Sequence, residues 1–190
     1  MRFEDGSTMR LYKQTIQDFG LFAGRELDEQ EYLRLTEAVS VMSARMRAVR
    51  IVSASSVSVQ DLEQRLIQKG EDPLHAKQAV EWMLELNLLD DRRTAEQVVH
   101  KCITKGYGIA RAKQALYEKR IDKAYWDDVL ADYPDQTDAI ITFLRSRLPE
   151  KWERKDLQRV TNALVQRGHS YSDVRKALEI LGQNEESWED

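Results

Sequence analysis

The stretch Asn87-Leu88-Leu89-Asp90-Asp91-Arg92-Arg93-Thr94-Ala95-Glu96, continued by Lys105-Gly106-Tyr107-Gly108-Ile109-Ala110-Arg111, decides how the chain reads. It predicts two helices joined by a tight glycine turn. Asp90 and Asp91 stand where a carboxylate can accept from the first free N–H groups of a helix, and Ala95, Val98, Val99, Cys102 and Ile103 recur as its apolar stripe. Gly106 and Gly108 end that stripe and permit the reversal. Cations gather here as well. Arg92, Arg93, Lys101, Lys105, Arg111, Lys113, Lys119, Arg120 and Lys123 stand against Glu96, Glu118 and Asp122, within a chain of net charge −4.

Working outward, the same helix ending occurs three times. Leu66-Ile67-Gln68-Lys69-Gly70-Glu71-Asp72, Leu116-Tyr117-Glu118-Lys119-Arg120-Ile121-Asp122 and Leu164-Val165-Gln166-Arg167-Gly168-His169-Ser170 each join a leucine, a basic residue three positions on, and an Asp or Ser that can cap the next helix. The leucines are 50 and 48 residues apart. Beyond each cap the apolar columns continue as Ala76, Trp126 and Val174, then Val80, Leu130 and Leu178. Helical units recurring at this period predict a tandem array in which each unit completes its core against a neighbour. The expected fold is all-α: three three-helix repeats in an elongated, curved array, behind a short N-terminal extension with β character.

The segments follow. Residues 1–34 form the extension, with an Asp5-Gly6 turn between short strand-like stretches, a turn of helix over Thr15 to Phe19 and a bend at Gly24. Residues 35–90 form the first repeat, opened by the capping pattern Asp28-Glu29-Gln30-Glu31, with an apolar face of Leu35, Ala38, Val39, Met42, Met46 and Val49. Capping patterns at Ser58-Val59-Gln60-Asp61 and Asp72-Pro73 start its other helices. Residues 91–133 form the second repeat and 134–181 the third, with Pro134 and Pro149 at breaks and Ser170-Tyr171-Ser172-Asp173 as a further cap. Residues 182–190 read as an acidic, frayed tail.

Composition narrows the function. A mean hydropathy of −0.62 and the lack of an apolar run near ~20 residues argue against a membrane span. The single cysteine, Cys102, cannot make an internal disulfide, and the start lacks a basic-then-apolar signal pattern, so a reducing cytoplasm is expected. His75, His100 and His169 fall in different units, no Cys-x-x-Cys or His-x-x-x-His spacing occurs, and no glycine-rich loop follows a strand. No catalytic residue, cofactor or metal is therefore expected, and the chain is expected to be a monomer. Cys102 reads as a small buried apolar residue, and Asp90 with Asp91 as caps rather than a carboxylate pair.

Charge is uneven along the chain, and the region 91–133, with nine basic and seven acidic residues, is the positive part. Lys101 and Lys105 are four apart on one helix. Lys113 and Arg120 are seven apart on the next, with Tyr117 between them on the predicted face. Such a stripe can meet phosphates without reading sequence. A merely solvated face is the plainer alternative. The candidate contact set is Arg92, Arg93, Lys101, Lys105, Arg111, Lys113, Tyr117, Lys119 and Arg120.

In their order, Leu89-Asp90-Asp91, Arg93-Thr94-Ala95-Glu96, Gly106-Tyr107-Gly108, Leu116 with Lys119, and Arg167-Gly168-His169-Ser170-Tyr171 resemble the RecX family of bacterial recombination regulators over residues 35–181. Gly24-Arg25-Glu26-Leu27 is similar to the extension of some members. The chain departs from the family pattern at Asn87 (usually glycine), Thr94 (usually aromatic), Arg120 (usually part of a Lys-Gly-Ile turn), and at Ala54, Ser55 and Ser56, a place often basic in relatives, which argues against contact by the first repeat. The resemblance implies a non-enzymatic modulator of DNA repair that binds the RecA recombinase filament on single-stranded DNA, lies along its groove and lowers its recombinase and ATPase activities. Any direct contact with the DNA would be weak or indirect. From residues alone, an autonomous DNA-binding helical protein and a helical scaffold for another protein remain as alternatives.

Overall fold

The computed structural model describes residues 1–4 and 6–186. Its helices form two compact units, Met1–Asp90 and Asp91–Asp190. The first unit contains α1 (Lys13–Asp18), α2 (Glu29–Ala54), α3 (Val59–Gln68) and α4 (Pro73–Glu85). The second contains α5 (Asp91–Thr104), α6 (Ile109–Glu118), a 3-10 turn (Lys123–Tyr125), α7 (Trp126–Leu130), α8 (Thr137–Arg147), α9 (Arg154–Gln166) and α10 (Tyr171–Glu186).

Several helices start where a nearby side chain satisfies their free N–H groups. Asp28 accepts from the Glu31 N–H at 2.7 Å while Glu31 accepts from the Asp28 N–H at 3.3 Å, a reciprocal box that opens α2. Ser58 accepts from the Asp61 N–H at 3.1 Å, and Asp72 from Leu74 at 2.8 Å with Pro73 in the first turn of α4. Ser170 and Asp173 form a second reciprocal box at α10. The helix ends also repeat. At Gly70, Arg120 and Gly168 the chain turns through positive φ (89°, 54° and 90°). In each case the next N–H reaches back to the leucine carbonyl: Glu71 to Leu66 at 3.1 Å, Ile121 to Leu116 at 3.1 Å, His169 to Leu164 at 3.2 Å. The three-fold recurrence in the sequence is thus one kind of helix-ending turn, which the chain also uses after α1 at Gly20, α4 at Asn87 and α5 at Gly106.

Each turn sits beside its own core. In the first unit Ala44, Ala48, Leu62, Leu66, Ala76, Ala79, Val80 and Met83 are buried together. The second unit has two clusters, one of Ala95, Val99, Cys102, Ala112, Leu116, Ile121 and Leu130, the other of Ile140, Leu144, Val160, Leu164, Val174, Ala177 and Leu181.

Three expectations are corrected. The expected stripe of α2 is deeply buried only at Leu35; the other deeply buried positions are Ala44 and Ala48, about half a turn around the axis, while Met42, Met46 and Val49 are half-buried. Close packing of α3 and α4 on α2 selects the small alanines, which a count of large apolar residues passes over. The expected N-terminal hairpin reduces to one antiparallel bridge between Arg2 and Thr8, because so few residues precede the turn. Asp5 of that turn lies outside the described residues. Finally, α10 continues through Gly182 to Glu186, past the expected start of the tail, anchored by the buried Leu181; residues 187–190 lie outside the described residues.

Candidate functional site

The Gly106-Tyr107-Gly108 turn between α5 and α6 docks on the turn that ends α9. The Gly108 N–H donates to the Arg167 carbonyl at 3.0 Å and the Ala110 N–H to the Gly168 carbonyl at 3.3 Å. In return the Arg167 guanidinium donates to the Lys105 carbonyl at 2.8 Å, and His169 Nε2 to the Gly106 carbonyl at 3.0 Å. A Cβ on Gly108 would lie 2.0 Å from the Gly168 oxygen, and one on Gly168 would lie 2.3 Å from the Arg111 nitrogen, so both positions need glycine for the backbones to approach. Arg167 also lies over the Tyr107 ring at 4.8 Å and the Phe143 ring at 5.1 Å. The Tyr133 hydroxyl donates to the Tyr107 carbonyl at 2.7 Å, and burial pushes its pKa up to about 12. Two motifs read separately in the sequence are therefore the two halves of one clasp.

This clasp organises part of the basic set. Lys101 and Lys105 are exposed at the end of α5, near the buried Cys102, whose thiol pKa is raised by burial and lowered to a smaller degree by Arg111, Lys105 and Lys101. Burial is the larger influence and leaves the thiol above its ordinary value, which suits a core side chain rather than a nucleophile. Lys105 and Arg167 also line an open groove of about 380 Å³ with Gln136, Thr142, Phe143 and Ser146.

The remaining residues are dispersed. Arg92 pairs with Glu96 at 3.4 Å and lies nine positions before Lys101, on the opposite side of α5 and roughly 13 Å away along its axis. Arg93 is exposed next to it. Arg111 is engaged: its guanidinium donates to Glu118 at 2.8 Å, raising its own pKa and holding the Glu118 carboxyl below the usual range. Lys113 and Tyr117 share an exposed face of α6, Tyr117 being 72% exposed. Arg120 does not extend that face, because α6 stops at Glu118, Lys119 caps it, and Arg120 takes the left-handed turn. Lys101, Lys105, Lys113 and Arg120 make no ion pair among the described residues.

Among those residues no three His, Cys, Asp or Glu side chains are gathered as metal ligands, and no helix is long and apolar enough to cross a membrane.

Residues 90–130 match the family model described as RecX, second three-helix domain, a span that holds all nine candidate residues. The chain is 26% identical to the regulatory protein RecX of Vibrio parahaemolyticus over 140 residues, covering 72% of this chain and 90% of that protein. It is 21% identical to the regulatory protein RecX of Clostridioides difficile over 184 residues, covering 94% and 86%. The chain belongs to the RecX family. Its fold agrees with a crystal structure of regulatory protein RecX at a TM-score of 0.72, with 20% identity over 94% of this chain and 91% of that one. In this RecX-family chain the Arg167 half of the clasp lies outside the span matched by the family model. Arg167 and Phe143 were absent from the candidate set, since neither lies in the positively charged region of the sequence.

Proposed function

We propose that this RecX-family chain is a non-catalytic regulator that binds the RecA recombinase filament on single-stranded DNA and lowers its recombinase and ATPase activities. What carries the reading is that the span matched to the family's second three-helix domain is also the span whose cations, Lys101, Lys105, Lys113 and Arg120, are left without acidic partners among the described residues. Unpaired lysines on helix faces suit contact with phosphates or with acidic protein surfaces and carry no base-reading geometry. On this reading the helical triplets 35–90, 91–133 and 134–181 are used as repeats, and the chain acts as a monomer in the cytoplasm.

The test is to titrate the protein into recombinase assembled on single-stranded DNA and follow ATP turnover, with bare DNA as a parallel arm. Falling turnover and a requirement for the recombinase are expected. Unchanged turnover at saturation would remove the reading, and equal binding to bare DNA would favour an autonomous DNA-binding protein. Replacing Lys101, Lys105, Lys113 and Arg120 together by Ala should weaken the effect while leaving helical content intact.

A further inference from the structure

A second basic surface lies in the first unit, where the sequence argued against any contact. α2 presents Arg47 and Arg50, and the end of α3 presents Arg65 and Lys69, around an open groove of about 420 Å³ that Ile51, Ala54 and Ser55 help to line. The positions Ala54, Ser55 and Ser56 carry no charge. The cations come from the flanking helix faces instead, Arg47 and Arg50 at least 15 residues before Arg65 and Lys69, so the sequence does not show that the two pairs share a groove.

Two of the four are already oriented. Arg47 donates through Nε to Glu71 at 2.8 Å, where Glu71 is itself buried, and through Nη1 to the Lys69 carbonyl. Arg65 donates through Nε and Nη2 to the two oxygens of Asp61, at 3.1 and 2.9 Å. A guanidinium has five N–H donors, so each retains donors after these bonds are made. The carboxylates thus hold two forks in place without using them up. Arg50 and Lys69 are exposed and make no ion pair among the described residues. The end of α3 already has Arg47 on the carbonyl of Lys69, so a structural role in closing that helix leaves Arg50 unexplained.

We propose that the groove bounded by Arg47, Arg50, Arg65 and Lys69 is a phosphate-backbone contact for single-stranded DNA. Arg50 and Lys69 supply the free charges, and Arg47 and Arg65 the fixed donors. Ile51 and Ala54 offer an apolar surface that a sugar can cover, and four cations around one groove suit the repeating charge of a phosphate backbone. The choice of DNA as the phosphate bearer rests on the filament reading above. The groove itself can be tested apart from it.

The test uses the full chain and a fluorescent oligothymidylate, with anisotropy measured between about 50 and 200 mM salt. Removing two phosphate contacts in R50A/K69A should reduce the slope of log K against log salt by about 1.4 and weaken binding roughly 25-fold near 0.1 M salt. The charge-keeping variant R50K/K69R should retain most of the slope. Matched thermal melts would show that the fold is kept, since neither residue makes an ion pair. An unchanged slope in R50A/K69A overturns the proposal, as does the absence of oligothymidylate binding by the unaltered protein, or competition by polyglutamate as effective as that by the oligonucleotide. If the slope falls but the unaltered protein leaves recombinase ATP turnover alone, the groove stands and the filament reading fails.

Discussion

Replacing Gly108 by Ala places a methyl carbon 2.0 Å from the carbonyl oxygen of Gly168, more than 1 Å inside ordinary contact. The backbone of Gly108 has φ −75°, which any residue adopts, so the conformational cost is small and the effect is steric. The obstacle is backbone and cannot swing aside as a flexible side chain would. The two turns must separate, and separation removes four hydrogen bonds: Gly108 to Arg167, Ala110 to Gly168, Arg167 to Lys105 and His169 to Gly106. At about 1 kcal/mol net for each, the expected loss approaches ~4 kcal/mol. Gly70→Ala is the control, since its Cβ meets nothing within 4 Å and only the positive φ of 89° is strained, at about 1–2 kcal/mol. Urea unfolding followed by far-ultraviolet circular dichroism gives the stabilities, and amide exchange at Gly108 and Ala110 reports whether the clasp has opened while both helical clusters remain folded. A Gly108→Ala protein no less stable than Gly70→Ala, with those amides still protected, would refute the reasoning.

Other outcomes follow from the same geometry. Arg120→Gly should raise the denaturation midpoint, by about 0.5–1 kcal/mol in stability, because it relieves a left-handed Cβ; on the functional reading it should also weaken filament binding, so stability and binding would move in opposite directions. Leu116→Ala, fully buried in its cluster, should cost roughly 2–5 kcal/mol in the same assay. Burial lowers the pKa of His169 below its ordinary value near 6.5, so the folded protein binds its proton less readily than the unfolded chain. Its contribution to stability should be present above about pH 6.5 and be lost as pH falls through the depressed value; stability measured from neutral to mildly acid pH should decline, and His169→Gln should flatten that decline. Tyr133→Phe removes the donor to the Tyr107 carbonyl and should cost about 1 kcal/mol by urea titration.

The sequence displayed the starts and stops of most helices. Asp28 with Glu31, Ser170 with Asp173, and Asp72 before Pro73 are caps whose partners lie within three residues, and the hydrogen bonds form as read. The leucine-to-glycine ending was visible for the same reason, even where Arg120 replaces glycine, since Ile121 still reaches back to Leu116. The candidate site was less legible. Lys113 and Tyr117 share a face as their spacing implies, but Arg120 left the helical count once α6 ended. Arg92 stands on the opposite side of α5 from Lys101 because nine positions turn the helix about two and a half revolutions.

What the sequence determined by itself was therefore local: which residues begin a helix, which turn ends it, and that the ending occurs three times. Tertiary structure alone decided that Gly108 meets Gly168, that α2 buries Ala44 and Ala48 rather than its methionines, and that Arg50 and Lys69 share a groove. The physical reason is range. Caps and helix endings are hydrogen bonds between residues a few positions apart and leave a pattern in adjacent letters, whereas backbone approach, the choice of packed face and the gathering of like charges depend on side chains tens of residues apart, where no local periodicity records them.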